Sequence, residues 1–97
     1  MTVEFRKTAL FDRWLHALRD ARAKARIVAR LRSAEFGNFG DCRPVGEGVS
    51  EMRIHAGPGY RVYFTRQAQT VYLLLLGGDK GSQKRDIRRA RELARAL

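Results

Sequence analysis

Two neighbouring predicted strands carry side chains that could bind an anion. The strands are "VSEMRIH", residues 49–55, and "YRVYFTR", residues 60–66. Side chains alternate between the two faces of a strand, so Arg53 and His55 share a face, as do Arg61 and Tyr63. The planar guanidinium group of arginine fits a phosphate, and a tyrosine ring offers a surface on which a base can stack. This pattern favours a phosphodiester-binding face, although an ordinary solvent-facing side of a sheet has the same pattern.

The need to bury apolar side chains predicts how these two strands pair. The apolar residues of the two strands must share one face, because a slip of one residue would turn one set toward solvent. They are Met52 and Ile54 on the first strand, and Val62 and Phe64 on the second. The simplest antiparallel register pairs Ile54 with Val62 and leaves a glycine-rich loop of three residues, 57–59. Three polar pairs then lie on the outward face: His55 with Arg61, Arg53 with Tyr63, and Glu51 with Thr65.

The remaining segments predict a small α+β domain that occupies residues 1–97. Apolar residues recur at strand spacing or at helical spacing in separate segments along the chain. The predicted elements are a strand at 2–6, a helix that begins after an N-cap at Thr8, a helix at 21–35 that Gly37 stops, a loop at 37–48, strands at 49–55, 60–66 and 70–76, and a helix at 83–96. The last three strands form an antiparallel meander. The final strand is apolar on both faces, so we expect a layer on each side of it.

The charge balance favours a polyanionic or acidic partner. The chain has 20 Lys and Arg residues against 10 Asp and Glu residues, a formal net charge of +10. Two predicted helices, the second and the last, each carry a cationic ridge. The ridge on the last helix contains Lys84, Arg88, Arg91 and Arg95. Nucleic acid is the first candidate partner, and a well-solvated basic surface is the alternative.

Cysteine and histidine content limits the chemistry. Cys42 is the only cysteine, so no intrachain disulfide can form, and His16 and His55 lie far apart without metal-ligand spacing. We therefore expect no metal ion and no other cofactor. No apolar run approaches the ~18 residues of a membrane span, and the first residues lack the apolar segment of a signal peptide. We therefore expect a cytoplasmic protein without membrane contact.

Two further features could take part in chemistry on a phosphate. The segment "LGGDKGSQKRD", residues 76–86, combines glycines, Lys80 and a helix start whose free N–H groups could meet an anion. Ser82 is the expected N-cap of that helix, and the spacing does not match a Walker loop. His55 is the one imidazole near the cationic face and is the candidate acid or base, whereas His16 is assigned a structural role.

The segments "EMRIHAGPGYRVYF" and "LLLLGGDKGSQKRDIRRARELA", in these positions, resemble the addiction-module killer proteins of the RelE/ParE toxin superfamily, near its HigB-type branch. The likeness covers nearly the whole chain. It implies a RelE-like α+β fold, in which an N-terminal strand and a helical hairpin pack on an antiparallel sheet, with a C-terminal helix. It also implies the toxin of a bacterial type II toxin–antitoxin system, masked by a cognate antitoxin that is a helix-turn-helix DNA-binding protein.

The resemblance further implies a metal-independent endoribonuclease that cuts mRNA in the ribosomal A site. Arg61 stands where the RelE branch carries a phosphate-contacting catalytic arginine after "GY". Lys80, Lys84 and Arg85 lie in the region that holds further basic catalytic residues in that branch. RelE-like enzymes carry a C-terminal tyrosine as a proposed base, but no tyrosine follows Tyr72 in this sequence, which leaves the base unassigned.

The leading hypothesis is a ribosome-dependent mRNA interferase that blocks translation through attack of a ribose 2′-hydroxyl on the adjacent phosphate. The assigned residues have three roles: Arg61, Arg53, Lys80 and Arg85 act on the phosphate and leaving group, His55 or a lysine acts as base, and Tyr63, Lys84 and Arg88 bind RNA. Two alternatives stay open. The first is a DNA gyrase inhibitor, because superfamily members of the ParE type inhibit gyrase. The second is an inactive nucleic-acid-binding module.

Overall fold

A computed structural model describes residues 2–97 and contains a five-stranded sheet with helices on both faces. In chain order the elements are β1 (Glu4–Lys7), α1 (Ala9–Ala17), α2 (Ala21–Glu35), β2 (Cys42–Gly46), β3 (Val49–Ile54), β4 (Tyr60–Ala68), β5 (Val71–Asp79), a 3-10 turn (Lys80–Ser82) and α3 (Gln83–Arg95). The predicted α+β class is therefore confirmed.

Capping side chains set where the first two helices begin. The Thr8 hydroxyl accepts a hydrogen bond from the Phe11 amide at 3.0 Å and donates to the Leu75 carbonyl oxygen at 2.6 Å, which ties α1 to the sheet. The Asp20 carboxylate caps α2 by accepting from a backbone amide. The predicted limits of α2 are confirmed, and Gly37 follows it with a φ of 96°, the left-handed conformation that commonly ends helices.

Within residues 2–97, no helix combines the length and the apolar character needed to cross a bilayer.

The strands lie in the order β1-β5-β4-β3-β2. The predicted antiparallel meander is confirmed, because β3 pairs with β4 and β4 pairs with β5, both in antiparallel fashion. β1 pairs with β5 in parallel and forms one edge of the sheet. The α1 and α2 helices carry the chain from that edge to the opposite edge, where it enters the sheet as β2. The meander therefore occupies the three central positions of the sheet, between the edge strands β1 and β2.

Two apolar clusters fill the two faces of the sheet. The first joins α1 and α2 to the central strands and includes Phe11, Ile27, Met52, Phe64 and Leu74. The second joins α3 to the opposite face and includes Tyr63, Leu75, Leu76 and Ala90. Since Leu74 belongs to one cluster and Leu75 to the other, β5 is covered from both sides, as predicted.

The prediction of a loop over residues 37–48 is wrong in part, because this segment contains the edge strand β2. Its backbone pairs with β3, with Arg43 opposite Glu51. The segment is rich in turn-forming residues, which favour a loop in sequence patterns. One of them, Pro44, lacks a backbone donor and is tolerated mainly in edge strands. Val45 is the one fully apolar side chain that β2 buries. The segment therefore has too little hydrophobic alternation to be recognised as a strand.

The predicted register between β3 and β4 is wrong by two residues. Ile54 pairs with Tyr60 and Met52 pairs with Val62, so the connection spans five residues, 55–59. The predicted outward pairs, His55 with Arg61, Arg53 with Tyr63, and Glu51 with Thr65, are replaced by Arg53 with Arg61 and Glu51 with Tyr63. A shift of two residues keeps every side chain on its face, so the shared apolar face is confirmed.

The face that was expected to be open to solvent is largely covered by α3. Glu51 and Tyr63 are fully buried there, and Arg61 and Thr65 are 8% and 7% exposed. The apolar side of α3 needs a surface to pack on, and the Tyr63 ring with its leucine neighbours provides it. The expectation that Tyr63 faces solvent is therefore wrong.

Gly77 of β5 lies directly beneath the indole ring of Trp14. A Cβ at this position would stand 2.2 Å from Trp14 Cε3. Replacing Gly77 with Ala should therefore lower the free energy of unfolding by about 2 kcal/mol, as overpacking does in other cores. Urea unfolding measures this change. Gly81→Ala is the control, because its Cβ would approach only one atom closely, Asp79 Oδ1, at 3.2 Å. Equal stability of the two variants would contradict the close packing of Gly77 against Trp14.

Candidate nucleic-acid interface

The carboxylate of Glu51 is a buried acceptor for side chains from four elements. Its Oε1 accepts from Arg43 Nε at 3.1 Å and from Arg53 Nε at 3.2 Å. Its Oε2 accepts from the Tyr63 hydroxyl at 3.0 Å and from Gln83 Nε2 at 2.9 Å. The Glu51 side chain has no exposed surface. One carboxylate therefore links β2, β3, β4 and α3.

Strand pairing explains why these residues meet. Glu51 lies directly opposite Arg43 on β2 and directly opposite Tyr63 on β4. Such cross-strand neighbours have Cβ atoms about 5 Å apart on the same face. Arg53 lies two residues farther along β3, so its side chain leaves the same face as Glu51. Gln83 is the first residue of α3, and its contact with Glu51 holds the start of that helix over the sheet.

Arg61 lies beside this carboxylate and is almost completely buried. Its side chain is 10% exposed, and its Nε lies 3.9 Å from Glu51 Oε2. Nη1 donates to the Gly59 carbonyl oxygen at 2.9 Å, whereas Nε is buried without a hydrogen-bond acceptor within residues 2–97. We refer to Arg43, Arg53, Arg61 and Glu51 as the arginine cluster. Three guanidinium groups surround one carboxylate, so the cluster keeps a net positive charge.

Protonation states in the cluster follow from these contacts. Burial acts to raise the pKa of Glu51, but the hydrogen bonds from Gln83, Arg53, Tyr63 and Arg43 outweigh it and hold that pKa below its ordinary value. Burial raises the pKa of Tyr63, and the neighbouring Glu51 carboxylate raises it further. Near neutral pH, Glu51 is therefore ionised and Tyr63 keeps its proton. The phenol acts as a hydrogen-bond donor to Glu51 and not as a base.

A cationic groove of about 450 Å³ lies beside the arginine cluster. It is lined by Lys80, Gly81, Ser82, Gln83, Lys84, Arg85 and Arg88. Gln83 belongs to the groove and also donates to Glu51 of the cluster. Arg61 Nη1 and Lys80 Cβ lie 3.2 Å and 3.5 Å from the point where a Cβ on Gly59 would stand. The cluster and the groove therefore form one continuous cationic surface.

The positive charge of the groove comes from side chains and not from free N–H groups at a helix start. The Asp79 carboxylate accepts from the backbone amides of Gly81 and Ser82, at 2.8 Å and 3.2 Å. Ser82 lies at the N-cap position of α3, as predicted, but its side chain makes no capping hydrogen bond, because its hydroxyl donates to the Asp86 carboxylate. The 3-10 turn between β5 and α3 places Asp79 where it satisfies the first amides.

An imidazole–carboxylate pair lies at the end of β3. His55 Nε2 is 2.7 Å from Asp41 Oδ2, and this hydrogen bond lowers the pKa of Asp41. The Arg53 amide donates to the Asp41 carbonyl oxygen, and the His55 side chain lines a pocket with Arg26 and Arg30 of α2. Arg26 on α2 donates to the His55 carbonyl oxygen and holds its backbone. The Asp41 carboxylate favours the tautomer with its proton on Nε2, so Nδ1 can accept a proton.

Most of the residues predicted for the site lie on this surface. Arg53 and Arg61 are in the cluster, whereas His55 lies at the end of β3 and lines a pocket with Arg26 and Arg30 of α2. The groove contains Lys80, Lys84, Arg85 and Arg88. Tyr63 does not belong to the accessible surface, because a fully buried ring cannot stack on a base. The prediction that Tyr63 binds RNA is therefore wrong. Its hydroxyl instead donates a hydrogen bond to Glu51.

Three contributors were missed by the sequence analysis. Glu51 was predicted to be a solvent-exposed residue. A single acid among several cations on one face of the sheet is, however, a pattern that indicates ion pairs between that acid and more than one cation. Arg43 lies on β2, and without that strand its place beside Glu51 could not be predicted. Gln83 was placed at the helix start, but no sequence signal indicates that its amide contacts β3.

Comparisons with known proteins agree with the fold. The model of the family described as phage derived protein Gp49-like (DUF891) matches residues 13–96. An uncharacterized protein of Haemophilus influenzae is 47% identical over 97 residues, which cover 100% of this chain and 98% of the relative. In the crystal structure of the toxin–antitoxin complex RelBE2 from Mycobacterium tuberculosis, one chain matches with a TM-score of 0.55 and 21% identity, covering 82% of this chain and 100% of its own. The predicted RelE-like fold is therefore confirmed.

Replacing Glu51 with Gln should lower stability in a pH-dependent way. The loss near pH 7 should be about 2 kcal/mol, typical of hydrogen bonds to a charged group. Folding lowers the pKa of Glu51, so its ionised form stabilises the protein above the ordinary value of 4.5, and this contribution is lost as pH falls through the folded-state pKa. In urea unfolding, the stability gap between the two proteins should therefore narrow in acid. A gap that stays constant between about pH 7 and about pH 3 would contradict this assignment.

Proposed function

The chain belongs to the phage-derived Gp49-like family, and from this membership we propose that it is the toxin of a bacterial type II toxin–antitoxin system, of the HigB-type branch. The RelE-like fold supports this proposal. Its activity would be that of a metal-independent endoribonuclease that cleaves mRNA on the ribosome and so blocks translation. The observation that carries the proposal is the continuous cationic surface made by the arginine cluster and the groove.

This surface suits a single RNA strand. Each nucleotide of RNA brings one phosphate, so a row of cations can follow the backbone from one phosphate to the next. Lys84 and Arg88 lie along the groove on successive turns of α3 and would hold neighbouring phosphates. The net charge of +10 would speed the approach to a polyanion. The cluster would then receive the phosphate that reacts.

The proposed reaction is an internal transesterification. The ribose 2′-oxygen attacks the adjacent phosphorus while a base takes its proton. The bond from phosphorus to the 5′-oxygen breaks, and the leaving oxygen takes up a proton. The products are a 2′,3′-cyclic phosphate and a 5′-hydroxyl end. Negative charge accumulates on the non-bridging oxygens during this step, so positioned cations lower the barrier.

Different side chains would take different roles in this reaction. Arg61 and Arg53 would stabilise the charge on the non-bridging oxygens, and burial strengthens the field of Arg61 because little water screens it. Lys80 and Arg85 would assist the leaving oxygen and its phosphate from the groove. His55 would take the 2′-proton on Nδ1, since its Nε2 is held by a carboxylate.

A cognate antitoxin would be the regulatory partner. The matched M. tuberculosis chain was crystallised in a toxin–antitoxin complex. By analogy, a helix-turn-helix DNA-binding antitoxin would bind the present chain and mask its cationic surface in the cytoplasm. Release of the antitoxin would free the surface for ribosome-bound mRNA.

Replacing Arg61 with Ala should abolish growth arrest when the protein is induced in a bacterial host without antitoxin. The reason is the loss of the buried cation beside the reacting phosphate, which is expected to cost at least about a hundredfold in cleavage rate. Arg32→Ala is the matched control, because Arg32 is an exposed arginine on α2, on the other face of the sheet. Growth arrest by a folded Arg61→Ala variant would refute the role of this residue.

Mapping of transcript 5′ ends after induction tests the target. Cleavage by the wild type should produce new ends inside translated frames, only on ribosome-bound messages. The Arg61→Ala variant should not produce them. Broken chromosomal DNA with intact messages would instead identify a gyrase inhibitor and would contradict the ribonuclease proposal.

Replacing His55 with Ala should slow ribosome-dependent cleavage about a hundredfold, because general-base catalysis contributes roughly that much. The chain offers a matched control in its second histidine. His16 is exposed on α1 and its Nδ1 is hydrogen-bonded to the Asp12 carbonyl oxygen, so His16→Ala should leave the rate unchanged. Single-turnover cleavage of a message on purified ribosomes gives both rates. Equal rates for the two variants would remove His55 from the mechanism.

A further inference from the structure

The arginine cluster contains donors that residues 2–97 do not satisfy. Arg43 and Arg53 each use Nε to donate to Glu51, and their terminal nitrogens make no hydrogen bond in this part of the chain. Arg61 Nε is buried and also lacks an acceptor there. The side chains of Arg43 and Arg53 are 50% and 31% exposed, so their free terminal nitrogens can be reached by an incoming acceptor.

We propose that Arg43, Arg53 and Arg61 bind one phosphate of an RNA strand together, and that Glu51 is the positioning residue that holds them for it. This inference rests on the proposed ribonuclease function and deepens it. It adds Arg43 as a phosphate ligand, and it gives the buried acid a role separate from proton transfer.

The charges of the cluster favour the binding of a second anion. Arg43 and Arg53 donate to the same oxygen of Glu51, so two like charges are held close together. Arg61 adds a third charge beside the other oxygen of the same carboxylate. One acid offsets only part of this repulsion. A phosphate supplies the missing negative charge, and its several oxygens can accept from more than one guanidinium fork.

Arg43 is the member of the cluster that an incoming strand would meet first. The exposed fraction of the side chain falls from 50% for Arg43 to 31% for Arg53 and 10% for Arg61. This order follows the sheet from its edge at β2 toward its centre at β4. A phosphate that approaches from the β2 edge therefore reaches the buried Arg61 only after contact with the other two.

Glu51 cannot itself act as the base. Both of its oxygens accept hydrogen bonds within the chain, and the side chain has no exposed surface from which to reach a 2′-hydroxyl. Its contacts with Arg43 and Arg53 are made through Nε, which leaves the outer edge of each guanidinium group for a ligand. The carboxylate therefore sets the orientation of the cations and touches no reacting atom.

The continuity of the surface favours RNA over an acidic peptide. The cluster passes into the groove, where Lys80, Lys84 and Arg88 offer further cations in a row. Repeated phosphates at regular spacing match such a row. Arginine also binds phosphate through its planar fork, which gives several donors to one group.

Binding of a non-cleavable probe tests the role of Arg43. The probe is a 2′-O-methyl RNA hexamer with a 5′-fluorescein, which has no free 2′-hydroxyl to attack. Arg43→Ala should weaken its binding about tenfold, as expected for the loss of a charged hydrogen bond. It should also reduce the dependence of log Kd on log salt by about 0.7, the value for one phosphate contact on a single strand. Arg32→Ala, the matched control, should change Kd less than twofold.

Glu51→Gln separates positioning from structural support. Loss of an acid raises the positive charge of the cluster, so the probe should bind as tightly as before or more tightly. Turnover on ribosomes should nevertheless fall at least tenfold, because the guanidinium groups lose their common anchor. Loss of probe binding and turnover together in a folded variant would refute the positioning role.

The outcomes remain informative if the wild type shows no cleavage. In that case the ribonuclease proposal fails, while the probe still reports whether Arg43 binds phosphate. Equal binding by Arg43→Ala and Arg32→Ala would overturn the phosphate site. Displacement of the probe by hexaglutamate at lower concentration than by unlabelled hexamer would show a carboxylate site and would also overturn the inference.

Discussion

The structure depends on one buried ionised group, the carboxylate of Glu51. A carboxylate without water is strongly unfavourable unless several donors surround it. Here the donors come from β2, β3, β4 and α3, one from each element. Displacement of any of these elements would leave the buried charge with an unmet acceptor. The interaction that joins the sheet to the last helix therefore also sets the positions of the guanidinium groups.

The Tyr63 side chain connects this polar centre with the apolar core. Its ring packs in the cluster beneath α3 with residues such as Leu75 and Ala90, while its hydroxyl donates to Glu51. Such a side chain can close a core and complete a polar network together. α3 is consequently anchored twice, by its apolar side and by Gln83 at its first residue. The first turns of α3 form the groove, so the position of the groove is fixed as well.

Sequence patterns predicted the layers better than the contacts within them. Apolar alternation assigned Met52 and Val62 to one face correctly, but burial cannot distinguish registers that differ by two residues. The turn chemistry of the glycine-rich loop suggested three residues where the structure has five. Polar identity suggested that Tyr63 was exposed, because a single sequence does not show that α3 returns to cover that face. Arg43 was beyond prediction, since edge strands such as β2 carry little hydrophobic signal.

The burial of Arg61 favours a role in stabilising negative charge on a phosphate. An exposed guanidinium is screened by water and must lose both hydration and rotamer freedom when a ligand binds. Arg61 has already lost them during folding, and its Nη1 is held by the Gly59 carbonyl oxygen. A positioned cation in water-poor surroundings acts on developing charge without further reorganisation. The cost appears as an incompletely paired Nε and as repulsion among neighbouring arginines, and an anion with several oxygens would relieve the repulsion.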